Sequence, residues 1–134
     1  MINVPCPCGS GEAYDDCCGR YHSGAASAPT ADALMRARYT AFAIGDADYL
    51  RETWHPRTRP ARMTLPEDGH WTHLHVLGRS GGGVFDTEGT VEFEAHYEIG
   101  GQLGIERQNG LFVRENRRWF YVSDVPTVGE PSGG

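Results

Sequence analysis

The chain has 134 residues, of which 39% are apolar and 22% are charged, and its formal net charge is −6. This composition predicts one packed domain with a small appendage and excludes a disordered polymer. An acidic chain is also a poor general nucleic-acid binder, because phosphate affinity comes from clustered positive charge. All 12 residues in the Lys+Arg count are arginines, so chemistry that requires lysine is excluded.

The N-terminus and the hydropathy pattern bear on localisation. No apolar run approaches the roughly 18 residues that are needed to span a bilayer. The first residues lack the basic start and apolar segment that are typical of a signal peptide. We therefore expect a cytoplasmic protein with no membrane partner.

The four cysteines all lie near the start of the chain, at Cys6, Cys8, Cys17 and Cys18. A disulfide framework would require cross-pairing of the two groups, and a reducing compartment disfavours it. Redox-active thiols are a second interpretation, but the usual C-x-x-C arrangement is missing. We favour the third interpretation, in which four thiolates surround Zn²⁺ tetrahedrally at about 2.3 Å. A closed four-sulfur site has no open coordination position, so it is structural rather than catalytic.

The loop between the two cysteine pairs has the residues that such a site needs. Gly9 and Gly11 allow tight turns, Ser10 can cap a following turn, and Arg20 can offset the negative charge of the thiolates. The pattern CPCGSG-x5-CC resembles the SEC-C motif, the zinc-binding element at the end of the SecA translocation ATPase and in several unrelated bacterial proteins. The last ligand in SecA is often His. The resemblance places Cys18 there, with His22 as a substitute ligand.

The next segment predicts a linker and two helices. Residues 23–30 are small, and Thr30 is a candidate N-cap. Residues 31–45 form an amphipathic helix pattern, with Arg36 and Thr40 facing away from an apolar side that comprises Leu34, Met35, Tyr39, Ala41 and Phe42. Gly45 can end this helix, and residues 46–54 predict a shorter one that Pro56 closes.

After a proline-broken connection, the hydrophobic period changes to two. Residues 71–78, 89–99, 103–116 and 117–125 predict four strands joined by glycine-rich and polar turns. Helices followed by a meander of strands favour an α+β fold, with the helices packed across one face of a curved antiparallel sheet. Such a sheet forms a cone, as in the nuclear transport factor 2-like (NTF2-like) or cystatin-like roll. Gly89 and Gly104 would suit the bends that this curvature requires.

The order of motifs resembles the YchJ-like family of bacterial proteins. The motifs are the SEC-C pattern, PTADALMRARYTAF, DADYL-x3-TW, VEFEA in the sheet and a final RRWFY. The resemblance implies the roll fold and no particular activity. Motifs and composition together predict four parts: a zinc knuckle (residues 1–22), a linker (23–30), the roll (31–126) and a flexible tail (127–134). One departure lies in the third strand, where QNGLF follows Glu106 and Arg107 instead of the family's Ser-Arg-Phe run.

Several side chains are candidates for a pocket inside the cone. They are polar or aromatic residues of the helices and strands: Tyr39, Trp54, His55, Trp71, His73, His75, Glu106, Trp119 and Tyr121. A histidine beside a carboxylate there could act as a general acid and base. The alternative is that the aromatic residues fill the core, with their polar atoms bonded at its rim. The latter is favoured, so we name no catalytic residue and do not expect an enzyme.

Three further groups have both a functional and a structural interpretation. His70, His73 and His75 have metal-site spacing, but His73 and His75 would share a strand face with Trp71, and a solvated strand is favoured. Arg57, Arg59 and Arg62 could contact RNA or an acidic partner, but are more typical of a solvated connector. We also expect Arg36 or Arg38 to pair with Glu92 or Glu94 inside the fold.

These observations support a zinc-binding protein that uses its knuckle for contact with a protein or ribonucleoprotein. By analogy with SecA, the partner could be the ribosome or a chaperone. The alternative is a small-molecule enzyme or carrier that uses the cone cavity. In a third interpretation, the zinc only fastens the N-terminal segment to a domain that acts through another surface.

Overall fold

A computed structural model describes residues 4–61 and 69–125, without the side chains of residues 69 and 70. Arg62, the His70 side chain and the tail expected at residues 127–134 lie outside this description. The elements are a 3₁₀ turn, three helices and four strands in this order: Tyr14–Asp16, α1 (Cys18–His22), α2 (Ala31–Ile44), α3 (Ala47–Glu52), β1 (Gly69–Gly81), β2 (Glu88–Ile99), β3 (Gln102–Glu115) and β4 (Arg118–Asp124). The α+β prediction is confirmed.

The ends of α2 have the residues that the sequence indicated, and Asp46 is a further cap that it did not indicate. The hydroxyl of Thr30 accepts a hydrogen bond from the backbone N–H of Ala33 at 3.0 Å, which caps α2. Gly45 ends α2 at a φ of 81°, a left-handed conformation that favours glycine. Asp46 then caps α3 by accepting from the N–H of Tyr49 at 3.1 Å. The corner between the helices is therefore built from local sequence signals.

The four strands form one curved antiparallel sheet in the order β1-β2-β3-β4. Alternation in β2 places Val91 and Ala95 in the buried face, as the sequence predicts. The register between β2 and β3 is continuous, and irregularities fall between Trp71 and His73, between Val76 and Gly78, and between Leu111 and Phe112. The expected bends at Gly89 and Gly104 are therefore not where the register shifts.

The helices pack on one face of this sheet. Their shared core contains Leu34, Met35, Leu50, Val91, Phe112 and Trp119, all of them at most 3% exposed. The chain after α3 continues along β4, because the N–H of His55 donates to the carbonyl of Tyr121 at 2.7 Å. None of the helices in the described part of the chain combines the length and apolar character that crossing a membrane would require.

Candidate metal centre

The four cysteines come together as one cluster of sulfur atoms. The Sγ atoms of Cys6, Cys8, Cys17 and Cys18 all lie within 4.8 Å of one another. The Sγ atoms of Cys8 and Cys17 are 3.6 Å apart. A tetrahedron with metal–sulfur distances of about 2.3 Å has sulfur–sulfur edges of about 3.8 Å, so the cluster has the dimensions of a four-sulfur metal site.

A short backbone framework brings the two pairs together. Pro5 and Ala13 form an isolated antiparallel bridge, and the N–H of Cys6 donates to the carbonyl of Glu12 at 2.9 Å. Gly9 and Gly11 have φ values of 82° and 87°, so the turn between the bridged segments needs their left-handed conformation. Cys17 directly follows the 3₁₀ turn, and α1 begins at Cys18.

The protonation of the thiols shows why this cluster suits a cation. A hydrogen bond with Cys18 lowers the pKa of Cys8, which favours the thiolate form of one sulfur in the cluster. The bond with Cys8 and burial raise the pKa of Cys18, and burial raises that of Cys17. Like charges this close cannot all form in a buried site unless a cation compensates them. Four thiolates are the ligands that a divalent metal such as zinc accepts in structural sites.

Hydroxyl and backbone groups surround the sulfurs. The hydroxyl of Ser10 lies 3.2 Å from the Sγ of Cys17, and the hydroxyl of Thr40 donates to the Sγ of Cys18 at 3.3 Å. Arg20, which we expected to offset the thiolate charge, donates to the carbonyl of Cys17 and to the hydroxyl of Tyr21, and its side chain is exposed. The sequence missed the contact between Thr40 and the sulfurs, because Thr40 was predicted to face away from the apolar side of α2.

His22, the substitute ligand that the SEC-C resemblance implied, contacts groups other than the four sulfurs. Its Nδ1 accepts a hydrogen bond from the hydroxyl of Tyr14 at 2.7 Å, and its Nε2 donates to the carbonyl of Ala37 at 2.8 Å. Both ring nitrogens are therefore engaged, and the group of metal-ligating atoms contains only the four cysteines among the described residues. His22 connects α1 to α2 in this arrangement.

The residues proposed for a pocket are largely packed against each other. Trp54 and Tyr121 form an edge-on pair with ring centroids 5.0 Å apart, and Tyr39 and Trp71 form another at 6.2 Å. Trp119 is 3% exposed, and its Nε1 donates to the carbonyl of Pro29 at 3.1 Å. These contacts agree with the core-filling alternative.

His55 and Glu106, two titratable candidates for the pocket, do not lie next to each other. The Nε2 of His55 is 3.0 Å from the carboxylate of Glu115, while its Nδ1 accepts from the N–H of Arg57 at 3.1 Å. Both nitrogens of His55 are therefore used within the protein. Glu106 is exposed on β3 opposite Ala95 and does not accompany His55. The carboxylate beside His55 was missed because Glu115 is 60 residues away in the chain.

The expectation that Trp71, His73 and His75 share one face of β1 is wrong. The register shift between Trp71 and His73 turns Trp71 toward Tyr39 and Phe42 of α2, whereas His73 and His75 are exposed. His96 from β2 joins these two histidines, with its ring centroid 5.1 Å from that of His75. A solvated strand was the favoured interpretation, and the exposure of both histidines agrees with it.

The pairing expected between α2 arginines and β2 carboxylates is also wrong. Arg36 bonds to Asp32 and to the carbonyl of Cys8. Glu92 is near Arg107, and Glu94 is near His96: the ion-pair distances are 3.5 Å in each case. Alternation across the sheet puts Glu92 and Glu94 on the face opposite to the helices, so neither carboxylate can reach α2.

Arg38 is 6% exposed and interacts with neutral groups. Its guanidinium donates to the carbonyl of Leu50 at 2.8 Å and to the hydroxyl of Thr53 at 2.7 Å. It also lies over the rings of Trp54 and Tyr121. Burial lowers its pKa to about 10. This residue joins α2, the end of α3 and β4, and a local helix pattern gives no sign of that role.

Together, the fold and the site define a roll domain whose N-terminal segment carries a four-cysteine cluster with the dimensions of a metal site. Residues 30–124 match the family described as YchJ, middle NTF2-like domain, and residues 3–20 match the SEC-C motif. The chain belongs to the YchJ-like family. The resemblance and the NTF2-like fold predicted from the sequence are thereby confirmed.

Relatives and solved structures agree with this assignment. A UPF0225 protein of Streptomyces coelicolor is 53% identical over 122 residues, which cover 91% of this chain and 95% of that protein. A UPF0225 protein of Corynebacterium efficiens is 47% identical, with 92% and 95% covered. The solution structure of RPA3114, a SEC-C motif containing protein from Rhodopseudomonas palustris, is 36% identical with a TM-score of 0.81, covering 94% of this chain and 99% of that one. A SEC-C motif containing protein from Psychrobacter arcticus, solved by crystallography, shares the fold at 24% identity and a TM-score of 0.72, covering 98% and 85%.

Proposed function

We propose that the four cysteines hold one Zn²⁺ and that this ion fastens the N-terminal segment to the NTF2-like domain. The observation that carries the proposal is the place of the sulfurs in the core. Cys6, Cys8 and Cys18 are at most 5% exposed and belong to the same buried cluster as Leu34, Met35 and Leu50. A metal bound there stabilises the folded state of both parts, because the unfolded chain has no preformed site.

Elemental analysis of freshly purified, reduced protein tests this proposal. We expect one zinc per chain in the natural protein and a loss of most of it in Cys8→Ser. Ala28→Ser is a matched control, because Ala28 is 6% exposed in the same buried cluster but offers no sulfur. A natural protein without metal, or a Cys8→Ser variant with full zinc content, would refute the site.

Chelation tests the fastening role. Because the sulfurs share a core with α2 and α3, we expect removal of zinc to lower the unfolding temperature of the whole domain in a single transition. Circular dichroism in the far and near ultraviolet, recorded with and without chelator, measures this. An unchanged transition of the roll after complete zinc removal would mean that the ion stabilises residues 4–22 alone.

A contact role for the knuckle is a second proposal, and its exposed charges support a basic protein partner. Glu12, Asp15 and Asp16 are exposed in the segment between the two cysteine pairs, and Arg20, just after the second pair, is also exposed. Analogy with SecA suggests the ribosome or a chaperone, and this surface disfavours direct contact with RNA, since carboxylates repel phosphates. The free cysteines favour a cytoplasmic setting for such contacts.

Comparative affinity purification with full-length variants tests the contact role without removing the knuckle from the core. We expect Asp15→Asn with Asp16→Asn to lose partners that Glu88→Gln with Glu106→Gln retains, since all four side chains are exposed. Recovery of the same partners with both double variants would argue against a contact role for the acidic side chains of the knuckle. The enzyme or carrier alternative has less support, because the aromatic residues proposed for the cone pack against one another.

A further inference from the structure

Thr40 brings a hydroxyl group from the NTF2-like domain into the sulfur cluster. It lies in the middle of α2 and is 0% exposed. Its hydroxyl donates to the Sγ of Cys18 at 3.3 Å and lies 3.7 Å from the Sγ of Cys6. One side chain of the domain thus contacts sulfurs from both cysteine pairs.

The surroundings of Thr40 indicate that this contact is more than filling of space. Ala37 and Ala41 share its face of α2, and both are 0% exposed. Alanine is a better helix former than threonine and would avoid burying a hydroxyl. A threonine within a helix often bonds to the carbonyl four residues earlier, but this hydroxyl is directed at sulfur.

We propose that Thr40 is a positioning residue of the metal centre, which donates a hydrogen bond to the thiolate of Cys18 when metal is bound. This inference rests on the proposed zinc site. Four thiolates and one divalent ion leave a net charge of about −2. A buried donor compensates part of that charge and holds the sulfur in place, which slows loss of the metal.

The proposal assigns the NTF2-like domain a share in metal retention. Ser10 supplies a hydroxyl to Cys17 from within the knuckle, on its exposed side. Thr40 supplies one to Cys18 on the buried side, from outside residues 3–20 that match the SEC-C motif. The motif alone therefore lacks one of the groups that would hold its metal.

Three full-length variants separate the hydroxyl of Thr40 from its volume. Thr40→Val keeps the shape and removes the hydroxyl, whereas Thr40→Ser keeps the hydroxyl. Thr40→Ala is compared with Thr40→Ser, so the effect of the hydroxyl can still be measured if Thr40→Val does not fold. Thr53→Val is the control, because Thr53 is also buried (4% exposed) but its hydroxyl bonds to Tyr49 and Arg38 rather than to sulfur.

Two readouts are taken: the rate of zinc transfer to a chromophoric chelator, and the sulfur-to-metal charge-transfer spectrum of the Co²⁺-loaded protein. We expect Thr40→Val and Thr40→Ala to release zinc roughly ten- to a hundredfold faster, with a shifted Co²⁺ band. Thr40→Ser and Thr53→Val should resemble the natural protein. Equal release rates and spectra for Thr40→Ala and Thr40→Ser would overturn the role of Thr40 while leaving the zinc site intact. A natural protein that binds neither metal would instead refute the proposed function.

Discussion

The imidazole of His22 donates from Nε2 to the backbone carbonyl of Ala37 at 2.8 Å. Its Nδ1 accepts from the hydroxyl of Tyr14 at 2.7 Å, and its ring packs against that of Tyr49 at 4.5 Å. The side chain is 5% exposed. This one residue connects the 3₁₀ turn and α1 of the knuckle with α2 and α3 of the domain.

Replacement of His22 distinguishes a connecting residue from a metal ligand. We expect His22→Ala to lower the free energy of unfolding by about 1–3 kcal/mol, because two partly buried hydrogen bonds and a ring contact are lost. Zinc content should stay at one per chain. Denaturant unfolding and elemental analysis of the same preparation measure both quantities.

His75→Ala is the matched control for His22, because His75 is exposed on β1. It should change stability by no more than about 0.5 kcal/mol. Loss of zinc from a folded His22→Ala variant would contradict our view and favour the substitute-ligand role that the resemblance to the SEC-C motif implies.

Substitution of Arg38 should be among the more destabilising changes in α2. We expect Arg38→Ala to destabilise the domain by about 3 kcal/mol, because it removes hydrogen bonds to Leu50 and Thr53 and the contacts with two aromatic rings. Arg51→Ala provides the control, since Arg51 is exposed on α3 and its loss should cost no more than about 0.5 kcal/mol. Equal denaturation midpoints for the two variants would be inconsistent with a connecting role for Arg38.

Buried phenols make the domain sensitive to alkaline pH. Burial raises the pKa of Tyr39 from 10.0 to about 12, and it also raises the pKa of Tyr49 and of Tyr121. The stability that these neutral phenols contribute is complete below pH 10, the unfolded value, and is lost as the pH rises through the folded value. We expect tyrosinate absorbance to rise together with the loss of circular dichroism above pH 10.

Tyr39→Phe should move this alkaline transition to higher pH, because one group that ionises on unfolding has been removed. If instead all tyrosines titrated near their ordinary pKa while the circular dichroism stayed native, the phenols would not be buried as described.

The turn between β3 and β4 offers a stabilising substitution. Asn116 and Arg117 have φ values of 52° and 67°, which match a two-residue hairpin turn that prefers Asn-Gly. We expect Arg117→Gly to raise the free energy of unfolding by about 0.5–1 kcal/mol, since glycine adopts this conformation without the steric cost of a side chain. Arg118→Gly, within β4, should destabilise instead. A less stable Arg117→Gly protein would contradict the turn geometry.

Local patterns predicted the parts of the fold whose cause is local. Thr30 and Gly45 begin and end α2 through bonds within a few residues, and the alternation along β2 follows from the strand period. The cysteine spacing likewise predicted a metal site, because the ligands of both pairs lie within one short loop. In each case, the residues that interact are close in the chain.

The errors concern residues whose partners lie far along the chain. Thr40 was assigned to the outer face of α2 because a helix pattern assumes one buried face and one face in solvent. In the structure the knuckle packs against a second face of α2, so that face is buried as well. Trp71 was placed with His73 because alternation assumes a regular strand, and a register shift reverses it. Arg36 or Arg38 was expected to pair with a carboxylate of β2, but the guanidinium of Arg38 donates to a carbonyl and a hydroxyl at the end of α3.

The sequence by itself determined the family, the order of α2, α3 and the four strands, and the grouping of the four cysteines in one short segment, since each rests on spacing between near neighbours. Only the tertiary structure decided that the knuckle shares the core of the roll, that His22 bonds to Ala37 and that Thr40 meets the sulfurs. The physical reason is that whether a helix face is buried depends on which distant segments pack against it. Such packing brings together residues that are far apart in the chain, and a local sequence pattern cannot show this.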